Sequence, residues 1–342
     1  MVTSIKEETF SPCIAYTGTR PVEYAAVPLT MYSTGADHLE SYTSISALLE
    51  HFYAEKNTLT RIRQKSSDLR RIVQTALERE IKKYDLQLAQ MKDTEKREKY
   101  RIYGELLNTY GYSAKPGDKS LTAVNYYTSE PVTIPLDPTL SATENAKKYF
   151  DKYGKLKRTY EALSELTTQV KEEIDHLETI STALDIALKE EDLVEIKEEL
   201  TQSGYIRRKG GTKKAKITSK PFHYLSSDGF HIYVGKNNFQ NDELTFKFAT
   251  GNDWWFHAKG IPGSHVVVKT EGKELPDRTF EEAGRLAAYY SKGREQEKVE
   301  IDYVQKKQVK KPAGAKPGFV VYYTNYSLMI DSDISGIEKI SD

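Results

Sequence analysis

The sequence predicts an α+β protein, in which a long antiparallel coiled-coil hairpin is followed by a compact mixed α/β domain. Two long segments repeat apolar residues at steps of three and four, the spacing of helices that bury one stripe. Residues 221–342 instead combine short β-type runs with one amphipathic helix. The composition agrees, because 29% charged and 38% hydrophobic residues are typical of a chain with much exposed helix.

The composition also argues against several classes of protein. Cys13, the single cysteine, cannot form an internal disulfide, and the first residues carry no secretory signal pattern. The sequence contains no run of about 18 apolar residues, so no membrane span is predicted. We therefore expect a reduced, cytoplasmic setting.

The formal net charge of +0 conceals an uneven distribution of charge. Residues 207–342 contain 23 basic and 17 acidic residues, a net of +6, which leaves a net of −6 for residues 1–206. The C-terminal part is therefore the part suited to an anionic partner.

Residues 1–42 carry two short β-type runs, CIAYTG and VEYAAVPLTMY, with a turn-like Thr-Arg-Pro between them. So short a segment cannot bury a core of its own. We interpret it as the tail end of an N-terminal domain whose body is missing from this sequence.

A first long helix is predicted from Ser44 or Ser46, as its N-cap, to about Tyr110. Residues 111–140 follow as a small β tip, with the runs TAVNYYT and VTIPLD.

A second long helix is predicted to open at Ser141 or Thr143, and its apolar seam keeps a heptad pattern from Ala146 to Leu184. We expect residues 43–206 to fold back as an antiparallel coiled-coil arm, since each helix then covers the apolar stripe of the other. A compact helical bundle is the alternative.

Residues 207–220 form a Gly-containing basic segment with seven Lys and Arg residues and no acidic residue. It is interpreted either as a solvated flexible linker or as a strip that contacts phosphates. Residues 221–342 then read as an α+β domain that begins with a hairpin turning at Asp228-Gly229. A short helix is expected to start at Asn241 or Asp242, and TFEEAGRLAAYYSK to form an amphipathic helix.

The stretch DWWFHAKGIPGSHVVV, residues 253–268, contains both tryptophans of the chain. Alternation along a strand places Trp254, Phe256 and Ala258 toward a core and Asp253, Trp255 and His257 on the other face. Asp253, His257 and His265 could in principle supply three ligands to zinc. The usual spacings of zinc ligands are absent, however, so histidines that form structural hydrogen bonds are favoured over a metal site.

Catalytic chemistry receives no support from the pattern of residues. Ser264 and His265 are adjacent on a strand and point apart, so they cannot form a nucleophile and base pair. A phosphate-binding P-loop and a dinucleotide fingerprint are also absent. We predict no enzyme activity, no catalytic residue, no metal site and no cofactor.

Basic residues and aromatic residues together favour a nucleic-acid partner. VGKNNFQND places Lys236, Asn237 and Asn238 before a predicted helix, where free N–H groups suit an anion. KKQVKKPAGAKPG adds a lysine cluster. Each run alone is typical of solvated surface, but together with accessible aromatic residues they suggest RNA binding.

The runs SSDGFHIYVGKNNFQNDELTFKFATGNDWWFHAKGIPGSHVVV, AAYYSKGR and VKKPAGAKPGFVVYY closely resemble the NFACT-R domain of the NFACT family. This family includes RqcH, NEMF and the bacterial fibronectin-binding protein A group. LSATENAKKYFDKYGKLKR resembles its coiled-coil segment and SISALLEHFYAEKN the lead-in from its N-terminal domain, most of which is missing here.

The resemblance implies a factor that binds large ribosomal subunits obstructed by peptidyl-tRNA and recruits tRNA. It implies support of template-independent alanine tailing of stalled chains, with bond formation left to the ribosome. The coiled coil would reach ribosomal RNA and stalk-base protein. Trp255 and His257 would shape the surface or stack on bases, and the lysines would contact phosphates. The candidate RNA-binding residues are Arg207, Arg208, Lys209, Lys213, Lys214, Lys236, Asn237, Asn238, Trp255, His257, His265, Lys306, Lys307, Lys310 and Lys311.

Two competing interpretations remain. A fibronectin-binding adhesin of the cell surface is suggested by a name that the bacterial group carries, although the sequence has no export or wall-sorting pattern. A metal-dependent enzyme is the third interpretation.

Overall fold

The computed structural model describes residues 10–17, 20–29, 32, 37–208 and 218–341. The chain divides into two compact units, one formed by Met1–Ala76 with Asp175–Asp342 and the other by Leu77–Ile174. It is a mixed α/β protein with long helices and antiparallel sheets.

A small antiparallel sheet lies near the N-terminus in the first unit, with the strand order β2-β1-β3. Its strands are β1 (Cys13–Thr17), β2 (Arg20–Ala25) and β3 (Asp37–Ser41). Ile14 and Tyr16 pack against Leu48 and Phe52 at the start of the first helix. The N-terminal β runs thus bury their apolar side chains on this helix.

Four helices follow, and the break between the first two differs from the prediction. They are α1 (Ile45–Asp93), α2 (Arg97–Tyr110), α3 (Ala142–Ile186) and α4 (Glu190–Gln202). The first predicted helix is interrupted after Asp93, where the Thr94 hydroxyl donates to the Met91 carbonyl at 2.6 Å. The second, whose apolar seam was predicted as far as Leu184, ends at Ile186, and beyond it the Asp192 carboxylate accepts from the backbone N–H groups of Leu188 and Lys189.

The second unit contains a β-hairpin between α2 and α3. Its strands are β4 (Ser120–Asn125) and β5 (Glu130–Pro135). The hairpin and the helix ends share one apolar cluster. The buried members of this cluster are Tyr103, Leu106, Leu107, Ile134, Ala146 and Tyr149.

Two helix starts confirm the predicted caps. The Ser44 hydroxyl accepts from the Ala47 N–H at 3.1 Å. Ser141 and Glu144 form a capping box, because each side chain accepts from the backbone N–H of the other residue.

The apolar seam predicted for the second long helix is largely buried. Its buried members are Ala146, Tyr149, Leu163, Thr167, Val170, Ile174, Leu177 and Leu184. Within the second unit, the Thr167 hydroxyl on α3 contacts Met91 Sδ on α1 at 3.5 Å. Within the first unit, Arg70 on α1 pairs with Asp185 on α3. These contacts bring α1 and α3 together, and a regular coiled-coil pairing stays a prediction.

The described part of the C-terminal region forms a 7-stranded antiparallel sheet with the order β13-β10-β8-β9-β7-β6-β14. Its strands are β6 (Phe222–Leu225), β7 (His231–Val234), β8 (Trp254–Ala258), β9 (Val266–Val268), β10 (Val299–Gln305), β13 (Tyr326–Ile330) and β14 (Glu338–Ser341). A separate pair is formed by β11 (Val309–Lys310) and β12 (Val321–Tyr322). The helices are α5 (Asn238–Glu243) and α6 (Asp277–Tyr289).

The two faces of this sheet carry separate cores. On one face, α6 packs through Ala283, Leu286 and Ala287 onto Phe256 and Val266. On the other face, a smaller cluster surrounds Trp255, and residues from the turn after α5 and from β11 and β12 cover it. The alternation predicted for residues 254–258 is therefore correct, but both faces of the strand are covered.

Three features of the C-terminal region test the predicted elements. The β6-β7 hairpin turns at Asp228-Gly229, with Gly229 at φ +82, as predicted. The short helix starts at Asn238 and not at Asn241 or Asp242, because the Asn237 side chain caps it by accepting from the Gln240 N–H at 3.0 Å. The run FVVYYTNYSLMI, in which the β-type residues favour strand, contains the two strands β12 and β13, and they are separated near Thr324, which has a φ of +55.

Among the described residues, no helix combines the length and the apolar character needed to cross a membrane.

Candidate nucleic-acid interface

Trp255 lies in the core of the C-terminal sheet and not on its surface. Its side chain is 0% exposed and packs in one cluster with Val267 and Val304. Its ring centroid lies 5.0 Å from that of Tyr322, which comes from the covering strand β12. Of the two roles expected for Trp255, stacking on RNA is wrong for this structure, since β12 and its neighbours cover the ring, and support of the surrounding surface stays the prediction.

His257 and His265 flank the Trp255 ring. His257 stacks on it with centroids 5.6 Å apart, and His265 meets it edge-on at 5.0 Å. Burial lowers the pKa of His257 to about 4, and burial together with the neighbouring His257 lowers the pKa of His265 well below its ordinary value. Both rings are neutral near pH 7, so neither carries a positive charge that would attract a phosphate.

Asp253 stabilises the loops at the start of β8. Its carboxylate accepts from the Thr250 N–H at 2.7 Å and the Thr270 N–H at 3.0 Å, and it pairs with Lys269. Burial acts to raise the pKa of Asp253, but these donors outweigh it and hold the pKa below its ordinary value. In the described ranges no three His, Cys, Asp or Glu side chains are placed to hold a metal ion.

Lys236, Asn237 and Asn238 are buried against helix α4. Each is at most 3% exposed, and each pairs with a different acidic residue of that helix. The pairs are Lys236 Nζ with Asp192 Oδ1 (3.2 Å), Asn237 Nδ2 with Glu195 Oε2 (2.7 Å) and Asn238 Nδ2 with Glu199 Oε1 (2.7 Å). The structure contradicts their placement on an anion-binding surface, because carboxylates already occupy their donors.

Two acidic residues of α4, Glu195 and Glu199, carry raised pKa values. Burial raises the pKa of Glu199 to about 7 and also raises that of Glu195. The spacing of Asp192, Glu195 and Glu199 at three and four places them on one helix face. That spacing is the signal in the sequence that α4 docks one face on an amide-rich loop.

The lysines around β11 form the accessible basic surface of this region. We call this set the lysine surface; its members are Lys306, Lys307, Lys310, Lys311 and Lys316. Lys307, Lys310 and Lys311 are exposed, whereas Lys306 and Lys316 are partly buried. The structure therefore keeps the second predicted lysine run accessible, in contrast to the Lys236 loop.

One member of the lysine surface holds its loop in place. Lys311 pairs with Asp242 on α5, and the Gly318 N–H donates to the same carboxylate at 3.1 Å. Gly318 has a φ of +79, and a Cβ there would collide with the Asn238 side chain. By contrast, Lys307 and Lys310 form no ion pair with any described residue, which leaves their ammonium groups available to an anion.

Aromatic side chains accompany these lysines, and the residue-by-residue reading of the sequence did not single them out. Lys306 Nζ lies 5.8 Å from the centroid of the Phe246 ring. Phe319 is 46% exposed and Tyr323 is 62% exposed. Exposed rings among lysines are the side chains used to bind single-stranded nucleic acids.

The basic segment after α4 is described only at its start. Arg207 and Arg208 are exposed, and Arg208 pairs with Glu198. Lys209, Lys213 and Lys214 lie outside the described residues.

Comparison with known families covers most of the chain. Residues 1–219 match the NFACT N-terminal and middle domains, and residues 220–323 match the NFACT protein RNA binding domain. The second match contains the strands β6 to β10 of the 7-stranded sheet, the separate β11-β12 pair and the lysine surface, whereas β13 and β14 lie beyond it.

Individual relatives agree with these matches. The chain is 41% identical over 308 residues to "Rqc2 homolog RqcH" of Streptococcus suis, which covers 90% of this chain and 55% of the relative. It is 36% identical over 345 residues to the protein of the same name from Bacillus subtilis, covering 98% of this chain and 59% of the relative. The chain therefore spans less than two thirds of the length of either relative.

A solved structure shares the fold. It is the structure of the C-terminal of the fibronectin/fibrinogen-binding protein from Streptococcus suis (FBPS), with a TM-score of 0.65 and 37% sequence identity. The similarity covers 81% of this chain and 99% of that chain.

Proposed function

Because the chain belongs to the NFACT family, we propose that it acts in ribosome-associated quality control and binds ribosomal RNA through its lysine surface. The observation that carries the proposal is the exposure of Lys307 and Lys310 within the part that matches the NFACT RNA binding domain. Unpaired ammonium groups on an accessible surface attract phosphates and release counterions from RNA when they bind.

The second unit offers another basic surface. The stretch KKYFDKYGKLKR of α3 carries exposed basic side chains, and Lys152 Nζ lies 5.4 Å from the Tyr100 ring centroid. The exposed basic residues are Lys147, Lys148, Lys152, Lys155, Lys157 and Arg158. They support a role for the helical arm in reaching ribosomal RNA and stalk-base protein, with α1 and α3 paired as a coiled coil.

We extend the proposal to the reaction that the family resemblance implies. The chain binds large subunits obstructed by peptidyl-tRNA, recruits tRNA in the cytoplasm and supports alanine tailing of the stalled chain. The ribosome forms the peptide bonds, and this chain supplies binding and not catalysis. The relatives named Rqc2 homolog RqcH support this extension.

Charge reversal tests the proposal directly. Lys307→Glu with Lys310→Glu should weaken binding of the 342-residue chain to purified large ribosomal subunits and reduce the slope of log affinity against log salt by about 2, since two phosphate contacts are lost. Sedimentation of the chain with the subunits at several salt concentrations measures both effects.

The matched control reverses two lysines at the other end of β8 and β10. Lys259→Glu with Lys298→Glu, combined with Glu300→Lys so that the Lys259–Glu300 ion pair is kept in reversed order, leaves the lysine surface intact and should keep the natural affinity, and Lys298→Glu alone should do the same. If the affinity for the subunits changed neither with salt concentration nor in Lys307→Glu with Lys310→Glu, the proposal would be refuted.

Fibronectin binding is the alternative function, favoured by the similarity to the Streptococcus suis fibronectin/fibrinogen-binding protein. It requires saturable binding of the purified chain to immobilised fibronectin at physiological salt. The absence of such binding would remove this alternative without affecting the proposal on RNA.

A further inference from the structure

A stack of aromatic rings crosses three neighbouring strands on the α6 face of the C-terminal sheet. The Phe256 and Tyr303 rings lie 5.5 Å apart at 17°, and the Tyr303 and Tyr326 rings lie 5.5 Å apart at 27°. The rings belong to β8, β10 and β13, so the stack runs from the middle of the sheet to an outer strand. Three nearly parallel rings thus form one continuous column.

Exposure rises steadily along this column. Phe256 is 0% exposed, Tyr303 is partly buried and Tyr326 is 60% exposed. Since β13 is an end strand of the sheet in the described ranges, the column stops at Tyr326 with much of this ring in water. A further flat aromatic group could extend the column there.

Trp254 stands beside the outer end of the column. Its centroid lies 5.8 Å from that of Tyr303 and 6.4 Å from that of Tyr326, with interplanar angles of 49° and 51°. Phe280 of α6 supports it edge-on at 4.9 Å. Trp254 therefore borders the open end of the column and is itself held in place.

The lysine surface begins at the same end of the sheet. Trp254 pairs in register with Gln305, and Lys306 and Lys307 follow directly along the chain. The Lys306 N–H donates to the Asp253 carbonyl at 2.8 Å, which fixes this connection next to Trp254. The lysine surface therefore starts in the chain directly after the end of β10 that pairs with Trp254, and rings followed by ammonium groups are the combination that holds the bases and phosphates of a single strand.

We propose that Tyr326, backed by Tyr303 and bordered by Trp254, stacks on an unpaired base of single-stranded RNA. The lysine surface holds the adjoining phosphates, so this inference rests on the proposed function and adds a site for bases to it. Stacking requires no particular base, because every base has a π face. The site therefore selects unpaired over duplex RNA and has little sequence preference.

Removal of the outermost ring tests the site. Tyr326→Ala should weaken binding of the 342-residue chain to a fluorescein-labelled single-stranded RNA of roughly 12 nucleotides by about tenfold, the size expected for one stacked base. Tyr326→Phe keeps the ring and should bind as the natural chain does. Met329→Ala is the matched control, since Met329 is 59% exposed on the opposite face of the same strand.

Two further readouts separate stacking from charge and from folding. The loss caused by Tyr326→Ala should be the same at low and high salt, unlike the loss caused by Lys307→Glu with Lys310→Glu. RNA binding should also quench the fluorescence of Trp254 in the natural chain and in Tyr326→Phe, and much less in Tyr326→Ala.

Each outcome decides the inference. Equal RNA affinity of Tyr326→Ala and Met329→Ala overturns the base site, and if lysine-dependent subunit binding persists, the proposed function stands. If Tyr326→Ala loses subunit binding but keeps single-stranded RNA binding, the patch docks a protein and the inference is wrong. Absence of binding to both RNA and subunits overturns the proposed function and this inference together.

Discussion

At the scale of single residues, burial decides which candidates can meet RNA. Trp255 was chosen for its aromatic ring and Lys236 for its charge, yet Trp255 is 0% exposed and Lys236 is 2% exposed. Lys310 lies in a similar basic run but is exposed. Residue type predicts the chemistry of a side chain, but its accessibility depends on segments far away in the sequence.

Trp255 should contribute to the stability of the folded chain and should make no contact with RNA. Trp255→Ala removes a large, fully buried ring and should lower the free energy of unfolding by about 3–5 kcal/mol. Urea unfolding followed by circular dichroism measures this loss. Trp255→Phe keeps a ring in the cluster and should cost less, and the RNA affinity of the folded Phe variant should match that of the natural chain.

A Trp255→Phe variant of nearly natural stability that lost RNA binding would contradict this structural role. The buried Trp255 Nε1 has no hydrogen-bond partner among the described residues. Trp255→Phe removes this N–H group and should therefore leave no other polar group without a hydrogen-bond partner.

At the scale of elements, the α4–α5 contact shows a limit of local patterns. The Ser44 and Ser141 caps, the β6-β7 hairpin and α6 were predicted correctly, because their signals lie within a few residues of each other. The predicted start of α5, at Asn241 or Asp242, is three or four residues too far along the chain. Asn237 was expected to bind an anion, whereas its side chain caps the helix. The docking of α5 depends on α4, which the sequence separates from it by some forty residues.

Because of Glu199, the folding stability that the α4–α5 contact provides should depend measurably on pH. Its pKa of about 7 lies above its ordinary value of 4.5, so between these values the folded chain keeps a proton that the unfolded chain has lost. Folding stability then falls as pH rises through that window, by on the order of 3 kcal/mol in total.

Glu199→Gln cannot titrate and should remove this dependence. The difference in unfolding free energy, variant minus natural chain, should grow from pH 4.5 to 7 and then level off, with other titrating groups cancelling in the difference. Urea unfolding followed by tryptophan fluorescence reports on the first unit, which holds Trp254 and Trp255. A difference independent of pH would show that the buried Glu199 carboxyl titrates normally.

At the scale of the whole molecule, charge is uneven and both units carry basic surface. The sequence predicted the basic C-terminal part from its net of +6, and the structure separates accessible lysines from buried ones within it. The helical stretch of α3 around Lys152 adds basic surface in the second unit. This surface was not predicted, because residues 1–206 are acidic as a whole and the average concealed a local basic face.

The most direct test of RNA recognition is to find where RNA touches the chain. Ultraviolet cross-linking of the 342-residue chain to purified large ribosomal subunits, followed by mass spectrometry of RNA-linked peptides, identifies the contacting segments. We expect cross-links within residues 306–326, which contain the lysine surface and the exposed Tyr326, and we expect their loss in Lys307→Glu with Lys310→Glu. Cross-links confined to other parts of the C-terminal region, or unchanged in that variant, would contradict this expectation.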